Sequence, residues 1–142
     1  SEMLAINLAT PLLVIKSFAN QKIKNGAIVN ISSIEAIRPA INHSHYASTK
    51  AGLLNLTVSS ALELGKKNIR VNSICPGLTE RPGLKRDWPE GVKSWLDQVP
   101  LGRLCTGDDI ANSTLFLVSE ASSFITGACI TVDGGISSVS GW

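Results

Sequence analysis

Tyr46 and Lys50 stand four residues apart in Tyr46-Ala-Ser-Thr-Lys50. On a helix that spacing puts both side chains on one face, about one turn apart. An unperturbed phenol has a pKa of about 10, too high for a base near neutrality. A neighbouring ammonium favours the phenolate. The pair is therefore suited to move a proton to or from an alcohol or carbonyl oxygen. Taken alone the motif is weak, because a solvated lysine beside a half-buried tyrosine has the same spacing. Ser33 lies thirteen positions before Tyr46, just past an apolar run. At the carboxyl end of a parallel strand, where ligands of α/β sheets collect, its hydroxyl would donate to the same oxygen. The plainer reading of Ser33 is a turn cap.

Other chemistries find little support. A serine-hydrolase reading of Ser33 lacks the G-x-S-x-G elbow. No His, Cys and carboxylate cluster has metal-ligand spacing, so no metal is expected. Cys75, Cys105 and Cys129 are odd in number and far apart along the chain; they read as reduced packing thiols. His43 and His45, in the loop before the tyrosine, read as exposed loop residues, with contact to a substrate as the alternative. Trp88 and Trp95 read either as pocket walls or as anchors of a short helix.

The elements that must position these groups alternate in type. Leu4, Leu8, Leu12, Ile15 and Phe18 recur in steps of three and four, predicting a helix from Glu2 to about Gln21. Pro11 lies four residues after Asn7 and has no N–H to offer its carbonyl, so that helix should kink there. Ala27–Ile31 predicts a strand, Ser44–Leu64 a long helix, and Asn68–Cys75 a second strand ended by Pro76-Gly77. A Pro- and Gly-punctuated stretch follows, with a short helix around Val92–Gln98. Thr106 and Asp109 suit a capping box opening a helix to about Ser119. Ala128–Val132 predicts a last strand, closed by Asp133-Gly134-Gly135.

Strands separated by helices imply parallel pairing, hence an α/β layered fold. Three such strands make a small sheet, as if part of a larger doubly wound one. In the long helix, Ala47, Ala51, Leu54, Val58 and Ala61 form a face able to cover a sheet. Residues 51–62 hold no charge, and a helix apolar on more than one side needs a second partner. A second copy of the chain is the expected one.

The 142 residues set the class: 44% are hydrophobic and 17% charged, enough to build one core-bearing domain. The formal charge of +2 gives no footprint for nucleic acid or an anionic membrane. No unbroken apolar run approaches the ~18 residues of a membrane span, and the first residues lack the basic region of a signal peptide. A cytoplasmic location is expected.

Asn7, Asn30-Ile-Ser-Ser33, Tyr46-xxx-Lys50, Asn72-Ser-Ile-Cys-Pro-Gly77, Leu101-Gly-Arg103 and Thr126-Gly127 through Val132-Asp-Gly-Gly135 together resemble the short-chain dehydrogenase/reductase family. The likeness spans essentially the whole chain in order and spacing. It implies the C-terminal part of a Rossmann-like doubly wound sheet and an NAD- or NADP-dependent oxidoreductase interconverting a secondary alcohol and a ketone. It implies that Tyr46 is the general acid/base, Lys50 supports it and holds the nicotinamide ribose, and Ser33 polarises the substrate carbonyl. Asn7 would be the fourth catalytic member, its backbone carbonyl holding a water linked to the lysine; Pro11 would free that acceptor. Tyr46, Lys50, Pro76, Gly77 and Thr79 would contact the cofactor. Trp88 and Trp95 would fall in the variable substrate lid. A homodimer paired through the first two long helices is implied, or a homotetramer that also uses the last helix and strand.

Two departures qualify the likeness. The sequence has no Gly-rich turn to seat a pyrophosphate on a helix N-terminus, so residues 1–142 read as one partial catalytic domain without the cofactor cradle. Arg81 stands where the family often has a threonine, and no cofactor contact is assigned to it. The competing reading is a non-catalytic fragment acting as an oligomerisation or interaction module.

Overall fold

The central strand dictates the architecture. In the computed structural model, which describes residues 2–23 and 25–139, three parallel strands lie in the order β1 (Gly26–Ile31), β2 (Ile69–Pro76) and β3 (Cys129–Val132). Gly26 pairs with Ile69 and Ile31 with Ile74, while Ser73 pairs with Cys129 and Pro76 with Val132. The sequence alternates along β2, yet Val71, Asn72, Ser73, Ile74 and Cys75 are all buried. A middle strand covered by helices on both faces has no solvent side. The expected start at Asn68 shifts by one residue, because Asn68 takes the left-handed conformation at φ 59° and ends the preceding turn.

Four helices of eight or more residues surround the sheet among the described residues. Glu2–Ala19 forms α1, in which α-helical turns flank a π-helical stretch at Ala5–Ala9. There the Thr10 N–H reaches back to the Ala5 carbonyl. Pro11 has no N–H to continue the regular ladder, so the expected kink takes the form of a π bulge. By length and composition α1 passes for a membrane span, yet Ile15 and Phe18 pack into the core beside Ala61, Leu64, Ile69 and Val71. The second helix, α2, covers Ser44–Leu64 as expected. Two unequal helices follow, α3 (Leu84–Asp87), which sequence periodicity missed, and α4 (Pro89–Gln98). They close a small satellite core of Leu84, Val92 and Leu104. The last, α5, spans Gly107–Val118.

The face of α2 departs from expectation. Ala47 and Ala61 are buried, but Ala51 is exposed and Val58 is 55% exposed. Thr49, Leu53, Thr57 and Ser60 are buried instead. Thr57 returns its hydroxyl proton to the Leu53 carbonyl and accepts from Asn30, which satisfies a polar group at a helix–strand contact. The apolar side of the sequence thus faces outward at Val58 and Leu62, and the small polar side meets the protein.

β2 also organises the opposite face. Arg70 donates to the carbonyls of Leu117, Ser119 and Ile125. Asn72 donates to Ile125 O and accepts from Ala128 N. These bonds tie the end of α5 and the approach to β3 onto the sheet.

The Thr106 capping box is formed. The Asp109 carboxylate accepts from Thr106 N at 2.7 Å and pairs with Arg103 through both guanidinium nitrogens. Arg103, then Thr106, holds the Asp109 carboxyl well below the usual carboxylate range. Because the folded value lies below the unfolded one, this contribution is full above the unfolded pKa of about 4 and fades as pH falls further. Urea midpoints at pH 7 and pH 3 should therefore differ less in Asp109→Asn than in the wild type, and Thr106→Ala should lose about 1 kcal/mol at pH 7. An unchanged pH slope in Asp109→Asn would remove the pair from the acid response.

Candidate active site

The strand register decides what meets at the carboxyl edge of the sheet. β1 and β2 end side by side, and Ser32 N bonds Ile74 O at 2.7 Å. Ser32–Ser33 and Pro76–Gly77 therefore face one hollow. α2 runs back over the sheet from this edge, so its first turns carry Tyr46 and Lys50 to the same place. A cavity of about 730 Å³ results, lined by Ser33, Tyr46, Lys50, Pro76, Gly77 and Thr79 among others.

Bonds to backbone fix the helix over the strand end. Ser32 Oγ donates to Lys50 O at 2.9 Å, and Lys50 Nζ donates to Ile31 O at 3.0 Å. The ammonium sits 5.7 Å from the centre of the Tyr46 ring, within cation–π range. Burial lowers the Lys50 pKa below that of an ordinary lysine. Nζ spends one of its three protons on Ile31 O and has two left for another acceptor.

Ser33 does cap a turn: its Oγ accepts from Glu35 N at 3.1 Å. This does not compete with the functional reading. The cap occupies an oxygen lone pair and leaves the hydroxyl proton free to donate.

Asn7 lies apart from this group. It lines a neighbouring cavity of about 370 Å³ between α1 and β1, whose wall also includes Lys50. Its side chain donates to Thr49 Oγ1 at 3.0 Å, and Thr49 in turn donates to Tyr46 O at 2.8 Å. The π bulge of α1 is thus bonded to the helical turn holding Tyr46 and Lys50. Thr49 and Ser32 are positioning groups that the motif did not reveal; their signal was small polar residues where a helix meets a strand.

The loop before α2 also reaches the cavity. His43 lines the cavity with its Nδ1 3.0 Å from the Glu35 carboxylate, and Arg38 lines it while donating to Ile136 O. Trp88 and Trp95 form apolar wall, and Trp88 remains 52% exposed. Gly77 has to be glycine for Trp95 to approach: a Cβ there would come within 2.8 Å of the indole and 2.9 Å of Asp133 Cα. Thr79 Oγ1 donates to Gly77 O. Arg81 bonds Asp87 outside this cavity, in keeping with its unassigned role. A further hollow of about 620 Å³ near Leu101 and Asp133 includes Arg103 and Asp109, but those two are engaged with each other.

The resulting arrangement can hold a small oxygen-bearing molecule between a hydroxyl donor and a phenol, with a cation beside the phenol and apolar wall opposite. Comparison with known proteins narrows that description. A family model described as enoyl-(acyl carrier protein) reductase matches residues 1–137. L-xylulose reductase of Caenorhabditis elegans is 42% identical over 139 residues, 94% of this chain and 55% of that protein. The 3-oxoacyl-(acyl-carrier-protein) reductase FabG of Chlamydia muridarum is 44% identical over 115 residues, 81% of this chain and 46% of that protein. The (3R)-3-hydroxyacyl-CoA dehydrogenase of Rattus norvegicus is 39% identical over 138 residues, 94% of this chain and 53% of that protein. The chain spans about half the length of these relatives. With that match along nearly its whole length, the chain belongs to the short-chain dehydrogenase/reductase family.

Proposed function

We propose that the protein bearing this chain interconverts a secondary alcohol and a ketone at the cavity between β1, β2 and α2, with NAD or NADP. The observation that carries the reading is the meeting of Ser33, Tyr46 and Lys50 in one cavity. The residues fit the nicotinamide end of the cofactor. Lys50 has two free ammonium protons for ribose hydroxyls, and Pro76, Gly77 and Thr79 line the adjoining wall. The cofactor, when bound, supplies or accepts the hydride.

The chain's own residues handle the oxygen and the proton. In reduction, the Ser33 hydroxyl donates to the substrate carbonyl oxygen and orients it. Tyr46 gives its phenolic proton to that oxygen as the alkoxide charge develops. Lys50 holds positive charge next to the phenolate that remains. In oxidation Tyr46 takes the alcohol proton back. Asn7, through Thr49, positions the turn that carries both groups, and its carbonyl in the π bulge is the proposed acceptor for a relay water.

The walls support a substrate with an apolar body: Ile34, Ile41, Leu78, Trp88 and Trp95 surround the polar centre. Among the relatives named above are acyl thioester and sugar reductases by name, and a small-molecule ketone of the former, more apolar kind suits this lining better. Exposed Val58 and Leu62 on α2, at 55% and 84%, support assembly into a homodimer or homotetramer across that helix; a sedimentation profile containing monomer alone would count against it. The three free cysteines support a reducing compartment, and a cytoplasmic location completes the proposal.

Tyr46→Phe should lower turnover by at least ~10²-fold while leaving the thermal midpoint nearly unchanged, since it removes one general acid/base and little volume. Retained turnover would refute the assigned role. Titration with NADH and NADPH should raise cofactor fluorescence and the melting temperature. No response to either at millimolar concentration would favour the interaction-module reading for this polypeptide.

A further inference from the structure

Cys75 and Cys129 are 54 positions apart, and sequence spacing gave no reason to pair them. The parallel register of β2 and β3 does. Cys129 lies opposite Ser73, so Cys75 and Cys129 are diagonal neighbours on one face of the sheet. Their sulfurs are 3.2 Å apart, and both are free thiols. We propose that Cys75 and Cys129 form a peroxide-sensitive dithiol, an oxidative modification site that closes to an intrachain disulfide behind the candidate active site.

The two sulfurs have different surroundings. Cys129 is exposed at the sheet edge, whereas Cys75 is fully buried. The hydrogen bond between the two sulfurs lowers the Cys129 pKa below that of an ordinary thiol, with Ser73 adding to the effect and partial burial opposing it. That same contact, with burial, pushes Cys75 up. The exposed sulfur is thus the one whose thiolate, the nucleophilic form, is favoured and which peroxide can reach. Cys105, by comparison, is buried, and its thiol donates to Thr106 O.

The chemistry balances with hydrogen peroxide as the oxidant. The Cys129 thiolate attacks one peroxide oxygen, the O–O bond breaks, and hydroxide leaves and is protonated to water. Cys129 becomes a sulfenic acid. The Cys75 sulfur then attacks the sulfenic sulfur, the S–O bond breaks, and a second water leaves with the Cys75 proton. Two thiols lose two electrons and two protons, and one peroxide becomes two waters. A dithiol reductant reverses the step by exchange. Bond formation requires the sulfurs to close to about 2.05 Å. Among the described residues β3 is an edge strand, four residues long and paired only with β2, so it can yield more readily than the middle strand.

The location gives the modification a route to the site. Ser32 N bonds the carbonyl of Ile74, the residue before Cys75, and Pro76-Gly77, which line the cavity, follow it in the chain. The proposal itself does not rest on hydride transfer, and its test reads mass and linkage rather than turnover. The folded chain is treated with a few equivalents of hydrogen peroxide at pH 7, alkylated and mapped without reductant. The expected result is a loss of ~2 Da with a Cys75–Cys129 linked peptide, alkylatable Cys105, and full reversal by dithiothreitol. Cys105→Ser should behave as the wild type and Cys129→Ser should lose the link. Should Cys129→Ser fail to fold, the wild type in urea serves as the control, where pairing should lose its selectivity. Links involving Cys105, links between chains, or sulfinic acid on Cys129 without a link would each overturn the proposal.

Discussion

The fixing of α2 over the end of β1 is the constraint on which the rest of the structure depends. Two reciprocal bonds make it: Ser32 Oγ to Lys50 O and Lys50 Nζ to Ile31 O. Each joins a side chain to a backbone carbonyl, so the helix is held in both height and rotation. Tyr46 sits one turn from Lys50 and inherits the placement. A loosely packed helix would leave phenol, ammonium and serine hydroxyl on the same protein without bringing them to the same cavity. The effectiveness of positioned groups falls steeply with misplacement on the scale of an ångström.

Polar burial is the means by which this fold fixes geometry. The middle strand contributes Asn72 and Ser73 to the interior, and α2 contributes Thr49, Thr57 and Ser60. Apolar residues at these points would pack, but they would not select one rotation of the helix. Hydrogen-bonded ones do, because a buried polar atom without its partner costs about 1–3 kcal/mol. Asn30 to Thr57, Asn7 to Thr49 and Asn72 to the 125–128 backbone are specific in this sense. The outward side of α2 is correspondingly left with Val58 and Leu62, which asks for a partner surface.

The proposed function and the proposed redox sensitivity share one strand end. Cys75 closes the buried run of β2, and the next two residues line the cavity. The same parallel pairing that brings Pro76-Gly77 beside Ser33 brings the Cys75 sulfur toward Cys129. A single register thus underlies both the proposed hydride-transfer site and the proposed dithiol.

Much of this was legible in the residues themselves. The steps of Leu4 to Phe18, the β-branched runs ending at Ile31 and Val132, and the Thr106–Asp109 spacing are local signals, and they located α1, β1, β3 and the start of α5. The four-residue spacing of Tyr46 and Lys50 fixed their shared face, since helical geometry alone sets it. Local pattern failed where contact decided the outcome. It assigned α2 an apolar buried face, but Asn7 of α1 and Asn30 of β1 presented polar partners to Thr49 and Thr57, which turned inward together with Leu53. It read His43 as an exposed loop residue, which it is, but could not show that Glu35 meets it. It kept Cys75 and Cys129 apart, because distance along a chain says nothing about strand register. Residue order determined which elements form and which groups hold the chemistry; only packing between elements decided which of those groups touch, since that depends on long-range pairings no local pattern encodes.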